Sequence, residues 1–210
     1  ITKVSHGIYS GGISAVNKNV GTVITQNVMN AAPPNNITVG GILVSFEDEI
    51  QLRQNDISVL RHDGTTGTTG TTFGIALGII PNNTVTAFTG NDVTNASVTR
   101  NKINGVTQLN ATGYSAFGIV VNSVTSGSTT LHNNMISGVR AASTASDFSA
   151  GIVAGGGVGS STVIFHNSVA MTGTRGAATF PSYGLAVGGN STIMQVANNV
   201  FYNTQSSTST

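Results

Sequence analysis

The acidic side chains of this 210-residue chain are few, and three of its seven stand together as Glu47-Asp48-Glu49, followed by Arg53, Asp56, Arg61, His62 and Asp63. A hard cation such as Ca²⁺ takes about six to eight oxygen ligands. A polysaccharide lyase adds a base to abstract a proton, and a glycoside hydrolase needs two carboxyl groups at a fixed separation. Glu47, Asp48 and Glu49 are therefore the candidate cation or sugar site, and Ca²⁺ is the only cofactor they suggest. The competing reading is a solvated turn with local ion pairs, because the triplet falls on a short segment between two strands. The neighbouring repeats add only Asp92 and Asp147, too few to line an acidic groove across several coils, so no catalytic residue is assigned.

Other chemistry-bearing residues are scattered. When the repeats described below are aligned, Arg100 and His166 fall at equivalent positions two repeats apart with Asn133 between them, and His132 sits one position away. Two strand spacings put Arg100 and His166 roughly 9–10 Å apart. They read as exposed polar residues, and no metal ligand is assigned. The tract Gly64-Thr65-Thr66-Gly67-Thr68-Thr69-Gly70-Thr71-Thr72 reads as a flexible linker, since its threonines lie within one loop and not on successive repeats. Gly155-Gly156-Gly157 lacks the strand-to-helix context of a phosphate loop. Five Asn-x-Ser/Thr patterns, starting at Asn36, Asn82, Asn95, Asn110 and Asn190, arise readily in a chain of this composition and carry no inference.

The elements that hold these residues are strands. Hydrophobic content of 39% is enough for a core, while only 7% of residues are charged, far below the roughly 25% of ordinary domains. A net charge of +1 gives no reason to expect nucleic acid, which needs clustered Lys and Arg. No apolar run reaches the ~18 residues of a membrane span, so membrane insertion is not expected. With no cysteine, disulfides and thiolate chemistry are excluded.

Two signatures recur. A glycine followed by an aliphatic residue opens an alternating run at Gly12-Ile13, Gly41-Ile42, Gly74-Ile75, Gly118-Ile119, Gly151-Ile152 and Gly184-Leu185. An aliphatic residue, two variable positions, asparagine, one variable position and a further apolar residue recur around Asn27, Asn55, Asn101, Asn134, Asn167 and Asn199, as in Val98-Thr99-Arg100-Asn101-Lys102-Ile103. The glycines are spaced by 29, 33, 44, 33 and 33 residues, and the long third repeat carries its insertion around Ile80-Pro81-Asn82-Asn83-Thr84. Three residues before each asparagine stand Ile24, Leu52, Val98, Leu131, Ile164 and Val196. Two after come Met29, Ile57, Ile103, Ile136, Val169 and Phe201.

After the glycines, Ile13, Ile42, Ile75, Ile119, Ile152 and Leu185 are followed two positions on by Ala15, Val44, Leu77, Val121, Ala154 and Val187. This period of two marks the inward face of strands. The intervening column Val28, Asp56, Lys102, Met135, Ser168 and Val200 varies freely, as an outward face does. Each buried aliphatic contributes roughly 1.5–3 kcal/mol before entropy, so the columns stabilise a stack of coils where one coil alone would not fold. The asparagines are expected at turns, where Asn tolerates the left-handed conformation, with their amides bonded along the axis as a ladder.

Gly-Ile strands alternating with Val-x-x-Asn-x-Ile turns resemble the repeats of the pectate-lyase-like right-handed parallel β-helices, over about Gly7 to Asn203. The implied fold class is all-β: a right-handed parallel β-helix solenoid of about six coils of ~33 residues with three short strands each. Residues 1–203 form a single domain, expected to be a fragment of a longer solenoid, and 204–210 a Ser/Thr-rich tail or linker. The low-charge, Thr/Asn/Gly-rich coils are similar to repeat regions of large secreted bacterial surface proteins. That resemblance implies a non-catalytic structural or adhesive segment, extracellular or on the cell surface. Its expected partners are further coils of the same or neighbouring chains, and surface glycans. The alternative is a carbohydrate-binding or polysaccharide-cleaving β-helix with its groove near Glu47–Asp63 or the long third repeat.

Overall fold

The computed structural model describes residues 4–62, 70–80, 92–110, 114–122, 126–142, 148–176, 180–188 and 193–208. All its regular structure is strand, arranged as a parallel β-helix of six coils. The first sheet takes one strand from each coil: Val4–Gly11, Ile37–Ser45, Thr72–Leu77, Ala116–Val121, Ser149–Ala154 and Ser182–Val187. A second six-stranded sheet stacks Val23–Thr25, Gln51–Arg53, Ser97–Thr99, Gly127–His132, Ser160–Phe165 and Ile193–Ala197. The third stacks Val28–Met29, Asp56–Ser58, Lys102–Asn104, Met135–Ser137, Ser168–Met171 and Val200–Asn203. Two three-stranded sheets fill the corners. One joins Asn19–Val20, Glu47–Asp48 and Val93–Thr94, and the other joins Arg61–His62, Thr107–Gln108 and Arg140–Ala141.

Pairing is in register along the axis: Leu52 faces Ile24 and Val98, and Ile136 faces Ile103 and Val169. Ile42, Leu52, Ile57, Ile75, Val98, Ile103, Ile119, Leu131, Ile152 and Ile164 are fully buried in one continuous core. The outward column Val28, Lys102, Met135, Ser168 and Val200 is exposed, with Asp56 half-buried.

The first coil departs from the expected alignment. Ile8 pairs with Ile42, so the equivalent glycine is Gly7 and not Gly12. Ile13 is 86% exposed. It lies in a small turn closed by a bridge between Ser14 and Asn17, and Ala15 is exposed in the same turn. The 29-residue spacing from Gly12 was short against its neighbours of 33. Gly7 restores the period, because strands stacked through one core must cover equal arcs.

Glycine recurs at this position because nothing larger fits. The first sheet pairs Phe73 with Phe117 and then Ile75 with Ile119, passing over Gly74 and Gly118. A Cβ on Gly74 would stand 2.5 Å from the Gly118 carbonyl oxygen and 2.7 Å from Ile103 Cγ2.

The outer face of the first sheet is apolar as well. Leu43, Phe73, Ala76, Ile79, Phe117, Val120 and Ala150 form a second buried cluster, with Phe148, Val153 and Ala186 packed against it. Ring contacts run from Phe73 to Phe117 (6.1 Å), to Phe148 (5.0 Å) and to Tyr183 (5.5 Å). Alternation fails as a guide here because this sheet is covered on both sides, the situation in which parallel strands read as unbroken apolar runs.

The segment from Thr204 runs along the coil before it: Thr204, Ser206 and Thr208 donate their main-chain N–H groups to Met171, Gly173 and Gly176. Gln205 Nε2 donates to the Val139 carbonyl at 2.6 Å. The insertion residues 81–84 and most of the Gly/Thr tract lie outside the described residues.

Candidate functional site

Two constellations carry the polar chemistry: the asparagine ladder and the corner that holds Glu47. In the ladder, Nδ2 of Asn27, Asn55, Asn101, Asn134 and Asn167 each donates to Oδ1 of the next asparagine at 2.9–3.0 Å. The main-chain N–H of each also reaches that same oxygen at 2.8–3.1 Å. A second Nδ2 proton goes back to the preceding coil: Asn101 to Leu52, Asn134 to Val98, Asn167 to Leu131. Asn55, Asn101, Asn134 and Asn167 are buried, so nearly all their hydrogen-bonding capacity is used inside the protein.

The expected left-handed asparagine is displaced by one residue. At the ladder turns the positive-φ residues are Gln26, Gln54, Arg100, Asn133, His166 and Asn198, with φ from 53° to 57°, each immediately before a ladder asparagine. A left-handed non-glycine residue costs about 1–2 kcal/mol, and the ladder bonds of the next residue offset that cost. The recurring asparagine is thus required for its amide and not for its backbone.

The solvated turn expected for Glu47, Asp48 and Glu49 holds at Glu49, which is exposed, and is overturned at Glu47. Glu47 is fully buried. Its Oε1 accepts from Ser10 Oγ at 2.6 Å and Asn19 Nδ2 at 2.9 Å, and its Oε2 accepts from Thr22 Oγ1 at 2.8 Å. All three donors belong to the first coil. A carboxylate facing this corner is tolerated because three donors replace its hydration.

Asp48 is half-buried and turns the other way, accepting from Thr94 Oγ1 at 2.6 Å and Asn95 Nδ2 at 2.9 Å. The Thr94 bond, then the Asn95 bond and the charge of Lys18, hold its carboxyl below the usual range against partial desolvation. Lys18 pairs with Asp92 at 2.6 Å and donates to Thr94 Oγ1 at 3.0 Å. Glu49 is exposed and takes φ 57°. The three acids therefore diverge: one reaches the first coil, one the third, and one the solvent.

Among the described residues no three His, Cys, Asp or Glu side chains are grouped to hold a metal ion. Further along, Asp56 pairs with Lys102 at 2.9 Å and accepts from Ser58 Oγ at 2.6 Å. The Ser58 bond and then Lys102 lower its pKa. Arg53 and Arg61 are exposed and His62 is buried, while Asp63 and Asp147 lie outside the described residues.

Arg100, Asn133 and His166 line one turn edge as aligned, with His166 Nε2 3.4 Å from Asn198 Nδ2. His132 stacks on Phe165 of the next coil, rings 5.0 Å apart and 6° from parallel. Burial, then the nearby Arg100 and His166, depresses the His132 pKa. Sequence reasoning missed the buried role of Glu47 because the first coil was aligned on Gly12. With Gly7 in register, Asn19 falls opposite Glu47 and Ser10 and Thr22 lie on the same flank, a polar triad facing a lone acid.

Glu47→Ala is expected to leave those three donors unpaired and to cost about 2–3 kcal/mol, the first coil being lost ahead of the rest. Hydrogen exchange checks this: protection should fall in Asn19–Met29 and hold in Met135–Ser137. Compared with known families, curated proteins and solved structures, the chain has no match in any of the three.

Proposed function

We propose that this chain is a non-catalytic structural segment, a stalk or adhesive repeat of a secreted or cell-surface protein, built on the pectate-lyase-like right-handed form of the β-helix. The observation that supports it is where the carboxylates go. Glu47 binds three donors of the first coil, Asp48 binds Thr94 and Asn95, Asp92 pairs with Lys18, and Asp56 pairs with Lys102. A lyase or hydrolase needs acids aimed outward and grouped, whereas these acids fasten one coil to another. The sparse charge and the amide ladder serve the same end, a stack whose ladder amides bond from coil to coil.

Assaying polygalacturonate and a panel of glycans, with and without Ca²⁺, tests the reading. No turnover is expected under either condition. Measurable cleavage would overturn it in favour of a carbohydrate-active β-helix. Antibodies raised against the chain should label intact source cells, and labelling that appears only after permeabilisation would overturn the extracellular placement.

A further inference from the structure

The fold gathers cations that the sequence scatters. On the outer side of the second sheet, Arg53, Thr99, His132 and Phe165 stand in register on four successive coils, the second to the fifth. The turn residues that follow them are Gln54, Arg100, Asn133 and His166. Lys102 lies just beyond Arg100, on the third sheet and opposite Asp56. Three of the chain's eight lysines and arginines and two of its four histidines thus share one edge.

Among the described residues Asp56 is the one carboxylate on this edge, and Lys102 already holds it at 2.9 Å. Arg53 and Arg100 are exposed and pair with no carboxylate among the described residues. Glu47 and Asp48 are turned to other donors at a different corner. His132 has its Nδ1 shielded without a hydrogen-bond partner. Burial, then Arg100 and His166, disfavours its charge. The edge therefore has converging positive groups and no negative charge left to balance them, the arrangement that an added anion stabilises.

We propose that this edge binds an acidic glycan, a sugar chain carrying carboxylate or sulfate groups, laid along the coil axis from the second coil to the fifth. Arg53 and Arg100 take the acid groups through charge-assisted hydrogen bonds. Between them the exposed amides of Gln54 and Asn133 donate to and accept from sugar hydroxyls, and the stacked rings of His132 and Phe165 form an apolar ledge alongside. Four coils span three strand spacings, about 14 Å, so the contact extends over a short run of sugar units. Nucleic acid draws its affinity from many neutralised phosphates and calls for denser Lys and Arg, whereas here cations alternate with amides. The proposal rests on the adhesive reading and deepens it by naming what the segment holds.

Fluorescence anisotropy with three labelled probes tests it: an alginate oligosaccharide for carboxylate, a dextran sulfate oligosaccharide for sulfate, and neutral dextran. The chain should bind at least one charged probe and leave dextran free, and the probe bound identifies the acid group. Arg100 takes φ 56°, so the variant of choice is Arg100→Asn. Asparagine accepts the left-handed turn and already stands there at Asn133 and Asn198. It should weaken binding about tenfold, the worth of one charge-assisted bond, with the melting temperature unchanged. Arg140→Gln removes an equal charge from an exposed residue at another corner and should leave affinity within about twofold.

An anion beside Arg100 favours protonated His132, so binding should tighten as pH falls from about 8 to about 5.5. The His132 pKa, followed by NMR, should rise when the charged probe is added and stay put with dextran. No binding of either charged probe up to about 1 mM would overturn the proposal. So would dextran bound equally well, or equal losses in the two arginine variants. Single-stranded DNA bound more tightly than either charged probe would overturn it in favour of nucleic acid. None of these outcomes touches the structural reading, which falls on turnover or on intracellular placement.

Discussion

Asn134→Ala is expected to bring the protein close to unfolding. Asn134 is fully buried in the middle of the ladder, and four hydrogen bonds depend on its amide. Its Oδ1 accepts from the main chain and Nδ2 of Asn101, and its Nδ2 donates to the Val98 carbonyl and to Asn167 Oδ1. Asn167 Oδ1 keeps the Asn134 main-chain donor. The Asn101 N–H and one Asn101 Nδ2 proton are left in a dry interior, and the Val98 carbonyl loses its side-chain donor. Each stranded group costs about 1–3 kcal/mol, so a loss of about 4 kcal/mol is expected, a large part of the roughly 5–15 kcal/mol that holds a domain together.

Asn134→Asp should be no better at neutral pH, since it keeps the acceptor and replaces the donor with an oxygen facing two other oxygens. Asn199→Ala should cost only about 1 kcal/mol, because water replaces the lost partners at a half-exposed end. Urea denaturation of the three variants measures the gradient. Equal losses at Asn134 and Asn199 would mean that burial does not set the strength of the ladder.

The ladder shows where the sequence was legible. Asparagines with an aliphatic residue three before and two after announced both the coil period and the core, and their hydrogen bonds join residues 28, 46, 33, 33 and 32 positions apart. What the spacing did not reveal was which residue bends. Gln, Arg, Asn and His share the left-handed position, and a column so mixed in type looks like free variation.

The outer face of the first sheet was hidden for the opposite reason. Phe73, Phe117 and Leu43 flank inward residues without an intervening polar position, and a strand buried on both sides has no period to read. At the candidate site, the acidic triplet was visible but its direction was not. Whether a carboxylate is solvated or buried depends on what the adjacent coil supplies, and Ser10, Asn19 and Thr22 are ordinary surface residues until the register of the first coil is known.

Gly118→Ala should be as damaging as any ladder variant, although it adds one methyl group. The new Cβ would stand 2.6 Å from Ile136 Cγ2 and closer still to the Gly151 carbonyl oxygen. No rotamer relieves a Cβ contact with backbone, so the first and third sheets must separate locally or the coil must shift against its neighbour. Overpacking a tight interior typically costs about 1–3 kcal/mol, occasionally more. Here the obstruction is main chain on one side and core on the other, and the expected loss lies at or above about 3 kcal/mol.

Adding Ile136→Ala should not rescue the variant, because it clears the side-chain contact and leaves the carbonyl in place. Gly188→Ala provides the control: a Cβ there meets nothing within 4 Å, so stability should move by no more than about 0.5 kcal/mol. Thermal melts of the four proteins decide the matter. A Gly118→Ala variant as stable as Gly188→Ala would show that the coils can spread at little cost, and the recurrence of glycine at this position would then need a cause other than close approach.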